Sequence, residues 1–213
     1  MTKSAKKPDI PIYPPYNPLD KRNIGNSVAA KMIESEVHPL PPAPFIAAGV
    51  YALYYMGDYY CYEPLTRANQ TTLYYPIYVG KAIPSGGRKG NRLDNADPGK
   101  ALYKRLKDHA HSIEAANNLQ LDDFRCRFIS VDDIWIPLTE TLLIEKFCPV
   151  WNLVLDGFGN HNPGKGRKDG DISSWDCVHP GRKWSNKTQS TLKDKETLEK
   201  RVIQYLEAYL HKT

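Results

Sequence analysis

Gly49-Val50-Tyr51-Ala52-Leu53-Tyr54-Tyr55 and, farther along, Tyr74-Tyr75-Pro76-Ile77-Tyr78-Val79 are the two stretches whose reading decides the fold. Both are dense in aromatic and β-branched side chains, and both read as strands. A polar segment from Gly57 to Leu73 returns the chain between them, so a hairpin can pair them antiparallel. In that pairing Gly49 and Gly80 permit close backbone approach. Tyr51 and Tyr78 then present their hydroxyls near one point. Nine of the fourteen tyrosines fall between positions 51 and 78. Most of these are expected to pack in the sheet with the hydroxyl at its edge.

Outward from this hairpin the periodicity changes. Gly86-Gly87-Arg88-Lys89-Gly90-Asn91 reads as a loop. A helix is expected from about Ala101, burying Leu102, Leu106, Ala110 and Ile113. Phe124 to Val131 alternates as a third strand. Pro137, at a first helical position, opens a helix over Leu138 to Phe147 that Pro149 stops. A glycine-rich basic stretch runs from Gly157 to Arg167. The last helix spans about Asp194 to His211, with Leu198, Val202, Leu206 and Leu210 inward, joined by Ile203, Tyr205 and Tyr209.

Upstream, residues 1–44 hold nine of the seventeen prolines and form two extended pieces. Between them Asn26 or Ser27 can cap a short helix with Val28, Met32, Ile33 and Val37 on its apolar face. The expected fold is α+β, a small antiparallel three-stranded sheet flanked by helices. It divides into an arm over 1–48 for dimer or DNA contacts, a core over 49–156 with a basic insertion at about 83–100, and an extension over 157–213 carrying the glycine-rich loop and the last helix.

Composition narrows the function. A chain of 213 residues, 41% hydrophobic and 25% charged, is an ordinary globular mixture of one medium domain. No apolar run approaches the roughly 18 residues of a membrane helix. The start, Met1-Thr2-Lys3-Ser4-Ala5-Lys6-Lys7, lacks the apolar segment of a signal peptide, so a cytoplasmic protein without membrane partners is expected. The four cysteines contain no Cys-x-x-Cys pair, which argues against a disulfide framework or a structural zinc site. Cys177-Val178-His179 has a spacing that also arises by accident. The net charge of +5 is uneven: between Lys81 and Lys107 lie eight basic residues against two acidic ones. Such a block suits a phosphate backbone or a solvated loop, and charge alone does not choose between them.

A polar series accompanies the hairpin. Lys81 follows the second strand motif, Arg105 and His109 share one helix face, Glu140 borders the apolar face of the next helix, and Asn152 follows Pro149-Val150-Trp151. Singly, each has an ordinary explanation as a strand aromatic, a surface histidine or a first-turn carboxylate. In order, they resemble the GIY-YIG nuclease superfamily over roughly residues 49 to 152. The two name-giving motifs stand as Gly49-Val50-Tyr51 and Tyr78-Val79-Gly80, each with valine for isoleucine. Pro76 to Ala82, Arg88-Lys89-Gly90, Gly157 to Arg167, Ser174-Trp175-Asp176 and His179-Pro180-Gly181-Arg182 further resemble the small type II restriction endonucleases of that superfamily.

The resemblance implies a phosphodiester hydrolase acting on double-stranded DNA, with Tyr51, Tyr78, Lys81, Arg105, His109, Glu140 and Asn152 as its catalytic set. Glu140 is the expected ligand of one Mg²⁺, with Mn²⁺ as a substitute. A single carboxylate disfavours a two-metal site. The alternative restriction fold is disfavoured because no Asp or Glu has lysine two positions later. Free tyrosine ionises near pH 10, so Lys81, Arg105 and a cation are expected to lower Tyr51 into the range of a general base. Tyr78 would orient the water or a phosphate oxygen, Arg105 would clamp the phosphate, and His109 would assist proton transfer.

Arg88, Lys89, Arg92, Lys104, Lys165, Arg167, Arg182 and Lys183 are the candidates for groove and phosphate contacts. His161 is read within a turn whose amides touch phosphate. A short palindromic and G·C-rich site cut by a homodimer is the expected substrate and assembly. A repair or homing nuclease of the same superfamily and a catalytically inactive DNA-binding regulator are the alternatives.

Overall fold

The computed structural model describes residues 16–84, 99–160, 172–185 and 194–211. Its centre is β2, Gly49–Tyr55, in which all seven residues are buried. A strand buried on both sides needs two cores, and the alternation along β2 supplies them. Tyr51, Leu53 and Tyr55 enter one apolar cluster, while Val50, Ala52 and Tyr54 enter another.

β2 pairs antiparallel with β3, Tyr78–Ala82, and on its other side with β4, Phe124–Ser130. The register places Tyr51 opposite Gly80 and Leu53 opposite Tyr78. A fourth strand, β1, consists of His38–Pro39 and pairs with β4, giving the order β1-β4-β2-β3. The α+β class and antiparallel sheet are as expected; among the described residues the sheet has four strands instead of three. Proline at position 39 is compatible with this edge, where a missing donor costs no ladder bond.

Helix α1, Lys21–Glu34, and α4, Ile136–Phe147, pack together over the even-numbered face of β2. Helix α1 starts earlier than Asn26 or Ser27: the Asp20 side chain caps it by accepting from the Arg22 amide at 2.9 Å. Met32 is fully buried, whereas Val37 lies beyond the helix and is exposed. The helix expected on an arm thus completes the core of its own chain. Helix α4 begins at Ile136, with Pro137 in its first turn, and ends on Cys148 in the left-handed conformation at φ 44°.

The opposite face is covered by α3, Ala101–Ala115, by the short α5, Val150–Leu153, and by α6, Ser174–Val178. The last helix, α7, Lys195–Leu210, packs on a 3₁₀ turn at Tyr60–Tyr62 and on α2, Glu63–Ala68. These two elements occupy the segment expected as a polar return. The second strand starts at Tyr78 instead of Tyr74. Pro76 has no amide to donate, and the Asn69 side chain bonds the amides of Tyr74 and Tyr75 and the Tyr75 carbonyl, holding this stretch as a turn.

Because Met32 fills the α1–α4–sheet core, Met32→Ala is expected to cost about 2–5 kcal/mol in urea unfolding of the isolated chain. Unchanged stability would mean that α1 contributes nothing without a partner.

Candidate active site

Three elements aim polar groups at one region beside the central strand. Tyr51 points from β2 across Gly80, where a Cβ would overlap its ring. Tyr78 comes from β3, and Arg105 and His109 from successive turns of α3. The hydroxyl of Tyr51 meets Nε2 of His109 at 2.6 Å, and both residues are buried. The rings of Tyr51 and Tyr78 are 6.3 Å apart, and those of Tyr78 and His109 5.2 Å. Two phenols, a guanidinium and an imidazole thus lie side by side.

Lys81 and Glu140 form a neighbouring pair. Lys81 Nζ lies 2.5 Å from Glu140 Oε2, joining β3 to α4. Glu140 raises the Tyr51 and Tyr78 phenols through its charge, so the carboxylate is within electrostatic reach of both. Asn152 has a different task. Its side chain accepts from the Val79 amide and donates to the Val79 carbonyl, both at 2.8 Å. It holds the backbone between Tyr78 and Gly80.

The protonation of Tyr51 departs from expectation. Burial drives its phenol well above the ordinary value, the nearby Tyr78 adds to this, and Arg105 only partly opposes them. Tyr78 is raised by burial as well, with Arg105 again lowering it. Desolvation of the phenolate outweighs the guanidinium, and Lys81 is engaged with Glu140. Tyr51 is therefore held as a neutral phenol.

A glycine-flanked aromatic that sequence reasoning treated only as loop adjoins this group. Phe158 stacks on His109 with centroids 4.5 Å apart and planes 15° from parallel. Its neighbour Gly159 accepts from Arg105 Nη2 at 2.7 Å through its carbonyl. The signal available in the sequence was a lone aromatic within Gly157-Phe158-Gly159.

A family model described as the Eco29kI GIY-YIG domain matches residues 43–206. The chain belongs to that family. It is a nuclease of a GIY-YIG type II restriction endonuclease family, and its substrate is DNA. No curated protein matches the chain. The Eco29kI family match spans α3, α4 and most of α7 as well as the two strand motifs.

Nucleases of this family generally use divalent metal ions. The donor chemistry here fits a hard divalent cation that keeps most of its water: one carboxylate, Glu140, partly exposed and already opposite a cationic group. Among the described residues, no group of three or more His, Cys, Asp or Glu gathers as a metal cluster. His179 is not a ligand in waiting. Its ring nitrogens meet Tyr62 at 2.5 Å and Asn118 at 3.0 Å, and burial lowers its pKa to about 3. No helix among the described residues is long and apolar enough to cross a membrane.

The expected DNA-contacting residues divide. Lys104 and Lys183 are exposed. Arg88, Lys89, Arg92, Lys165 and Arg167, with His161, lie outside the described residues. Arg182 is a correction. It is only 3% exposed, and its guanidinium bonds both carboxylate oxygens of Asp176 at 2.7 and 2.6 Å. It also lies 4.5 Å from the ring centroids of Trp175 and Trp184. A guanidinium so enclosed is structural.

Two outcomes follow from these placements. Arg182→Ala strands the Asp176 carboxylate and should cost about 3–5 kcal/mol in urea unfolding, whereas Lys183→Ala should change stability by less than about 0.5 kcal/mol. Separately, the buried phenols stay protonated where unfolded tyrosine ionises, near pH 10. Their stabilising contribution is complete below about pH 10 and is lost as pH rises further. Tyr55 and Tyr205, each raised to about 12 mainly by burial, add to this loss. Tyr51→Phe should show a shallower decline in urea midpoint above about pH 10 than the unsubstituted chain; equal declines would contradict the burial of a neutral phenol.

Proposed function

We propose that the chain is a type II restriction endonuclease that hydrolyses both strands of a short, palindromic, G·C-rich double-stranded DNA site as a cytoplasmic homodimer, with one Mg²⁺ per active site. The observation that carries the catalytic reading is the 2.6 Å contact between the Tyr51 hydroxyl and His109 Nε2 beside Tyr78 and Arg105. A buried phenol joined to an imidazole is arranged for a proton relay. Which nitrogen carries the proton follows from the roles: with Nδ1 protonated, Nε2 accepts from Tyr51.

In this mechanism a water attacks the phosphorus and gives its proton to the Tyr51 oxygen. The Tyr51 proton moves to His109 Nε2 in the same step, so no free phenolate need accumulate. One P–O bond forms from water, the ester P–O bond breaks, and the leaving oxygen takes up a proton. Arg105, which also donates to the Gly159 carbonyl, holds a nonbridging phosphoryl oxygen. Tyr78 orients the water or a phosphate oxygen. Asn152 sets the position of Tyr78 through the Val79 backbone. Glu140 would hold the Mg²⁺, or Mn²⁺ in its place. When bound there, the ion supplies positive charge to the phosphoryl and leaving oxygens. Lys81, paired with Glu140, is the adjacent cation available to the phosphate.

The substrate reading rests on chemistry and symmetry. One active site per chain cuts a palindrome most simply in a twofold dimer. Arginines are the commonest readers of guanine in the major groove, and Arg88 and Arg92 lie in the basic insertion. Lys104 and Lys183 suit phosphate contacts.

Plasmid DNA incubated with the protein, with and without Mg²⁺, should give discrete fragments only with the ion. Nicks confined to branched substrates would mark a repair nuclease, and retarded but intact plasmid a regulator. Tyr51→Phe and Glu140→Ala should each slow cutting by at least about 10²-fold while still retarding plasmid on a gel. Cutting by Tyr51→Phe at the unsubstituted rate would remove Tyr51 from the proton path.

A further inference from the structure

We propose that Gly157-Phe158-Gly159 is a positioning cap for the catalytic groups and that Arg182 with Asp176 anchors it; this rests on the roles of Tyr51, His109 and Arg105 given above. The cap reaches His109, Tyr78 and Arg105. Phe158 lies flat on His109 and meets Tyr78 edge-on, with centroids 4.9 Å apart at 78°. Gly159 binds Arg105 through its carbonyl at 2.7 Å.

The flat contact has a specific effect. Rotation of an imidazole about its ring torsion is broad, and a flat neighbour narrows it. Phe158 against the face fixes the ring plane and leaves the Nε2 edge to Tyr51. The Gly159 carbonyl likewise takes one N–H of Arg105 and fixes the fork's direction. Position 159 must be glycine for this approach: a Cβ there would lie 2.6 Å from the Tyr78 hydroxyl and 3.4 Å from Arg105 Nη2.

The cap is itself held. Arg182 donates to the Gly157 carbonyl at 3.0 Å and to the Phe158 carbonyl at 3.2 Å. Asp176 orients that guanidinium through both carboxylate oxygens. The Phe158 ring rests on Trp151 and Trp175, with centroids 4.5 and 5.2 Å away. A buried ion pair is weak support for stability as such, and what this one adds is the direction of two carbonyls and hence of the ring between them. Neither Phe158 nor Arg182 touches the reacting atoms in this scheme. They act through His109, Tyr78 and Arg105.

Phe158→Leu keeps apolar bulk and removes the flat face; Gly159→Ala, at the margin of the core, pushes on Tyr78 and Arg105. Single-turnover cutting of supercoiled plasmid at saturating protein gives the rate per bound complex, and gel retardation of the plasmid without divalent metal gives binding. Both variants are expected to lose about 10²-fold in that rate while the protein concentration for half-retardation stays within about twofold. A role confined to folding would lower the melting temperature and the binding together and leave the rate per bound complex unchanged, which would overturn the cap. If Phe158→Leu does not fold, Gly159→Ala decides on the same readout. Tyr51→Phe, run in parallel, separates the two levels. An inert Tyr51→Phe beside a normal Phe158→Leu and Gly159→Ala sinks the cap alone, and a normal Tyr51→Phe sinks the catalytic reading and the cap with it.

Discussion

Removal of the Tyr51 hydroxyl from water constrains the rest of the site. β2 is buried along its whole length, so a hydroxyl on it is costly to leave without a partner. Tyr51 finds His109, and α3 must therefore lie at the depth and rotation that bring one of its turns to the sheet. The preceding turn of the same helix then delivers Arg105. Burial also favours the neutral phenol over the phenolate.

A second buried network stands behind the first. Asp176, Arg182 and the carbonyls of residues 157 and 158 form a polar knot under aromatic rings, far from the two strand motifs in sequence. It links the C-terminal extension to the region of Tyr78 and His109. Together with α1, whose Met32 fills the core on the other side of β2, it shows that the segments flanking the nuclease motifs are parts of one folded unit.

Local patterns were informative where one period governed burial. The strand at 49–55 could be read from its aromatic and β-branched side chains, and the helix beginning at Ala101 from the spacing of Leu102, Leu106, Ala110 and Ile113. The polar series was readable from its order along the chain. What could not be read depended on distant partners. Arg182, following Pro180-Gly181, looks like an exposed basic residue until Asp176 and two carbonyls enclose it. The two residues of β1 have no pattern of their own and are strand only because β4 offers an edge. The state of Tyr51 turned on depth, whereas the sequence displays only neighbouring charges.

Asn152 clasps both polar groups of a single peptide position on the outermost strand. A five-residue edge ribbon is the element most prone to sliding along its neighbour. A slip of one place would carry Val79 into the site and turn the Tyr78 phenol to the opposite face of the sheet. An amide side chain that fits only one frame acts as a ratchet pawl, so the alignment of the two phenols does not depend on the short ladder between their strands alone.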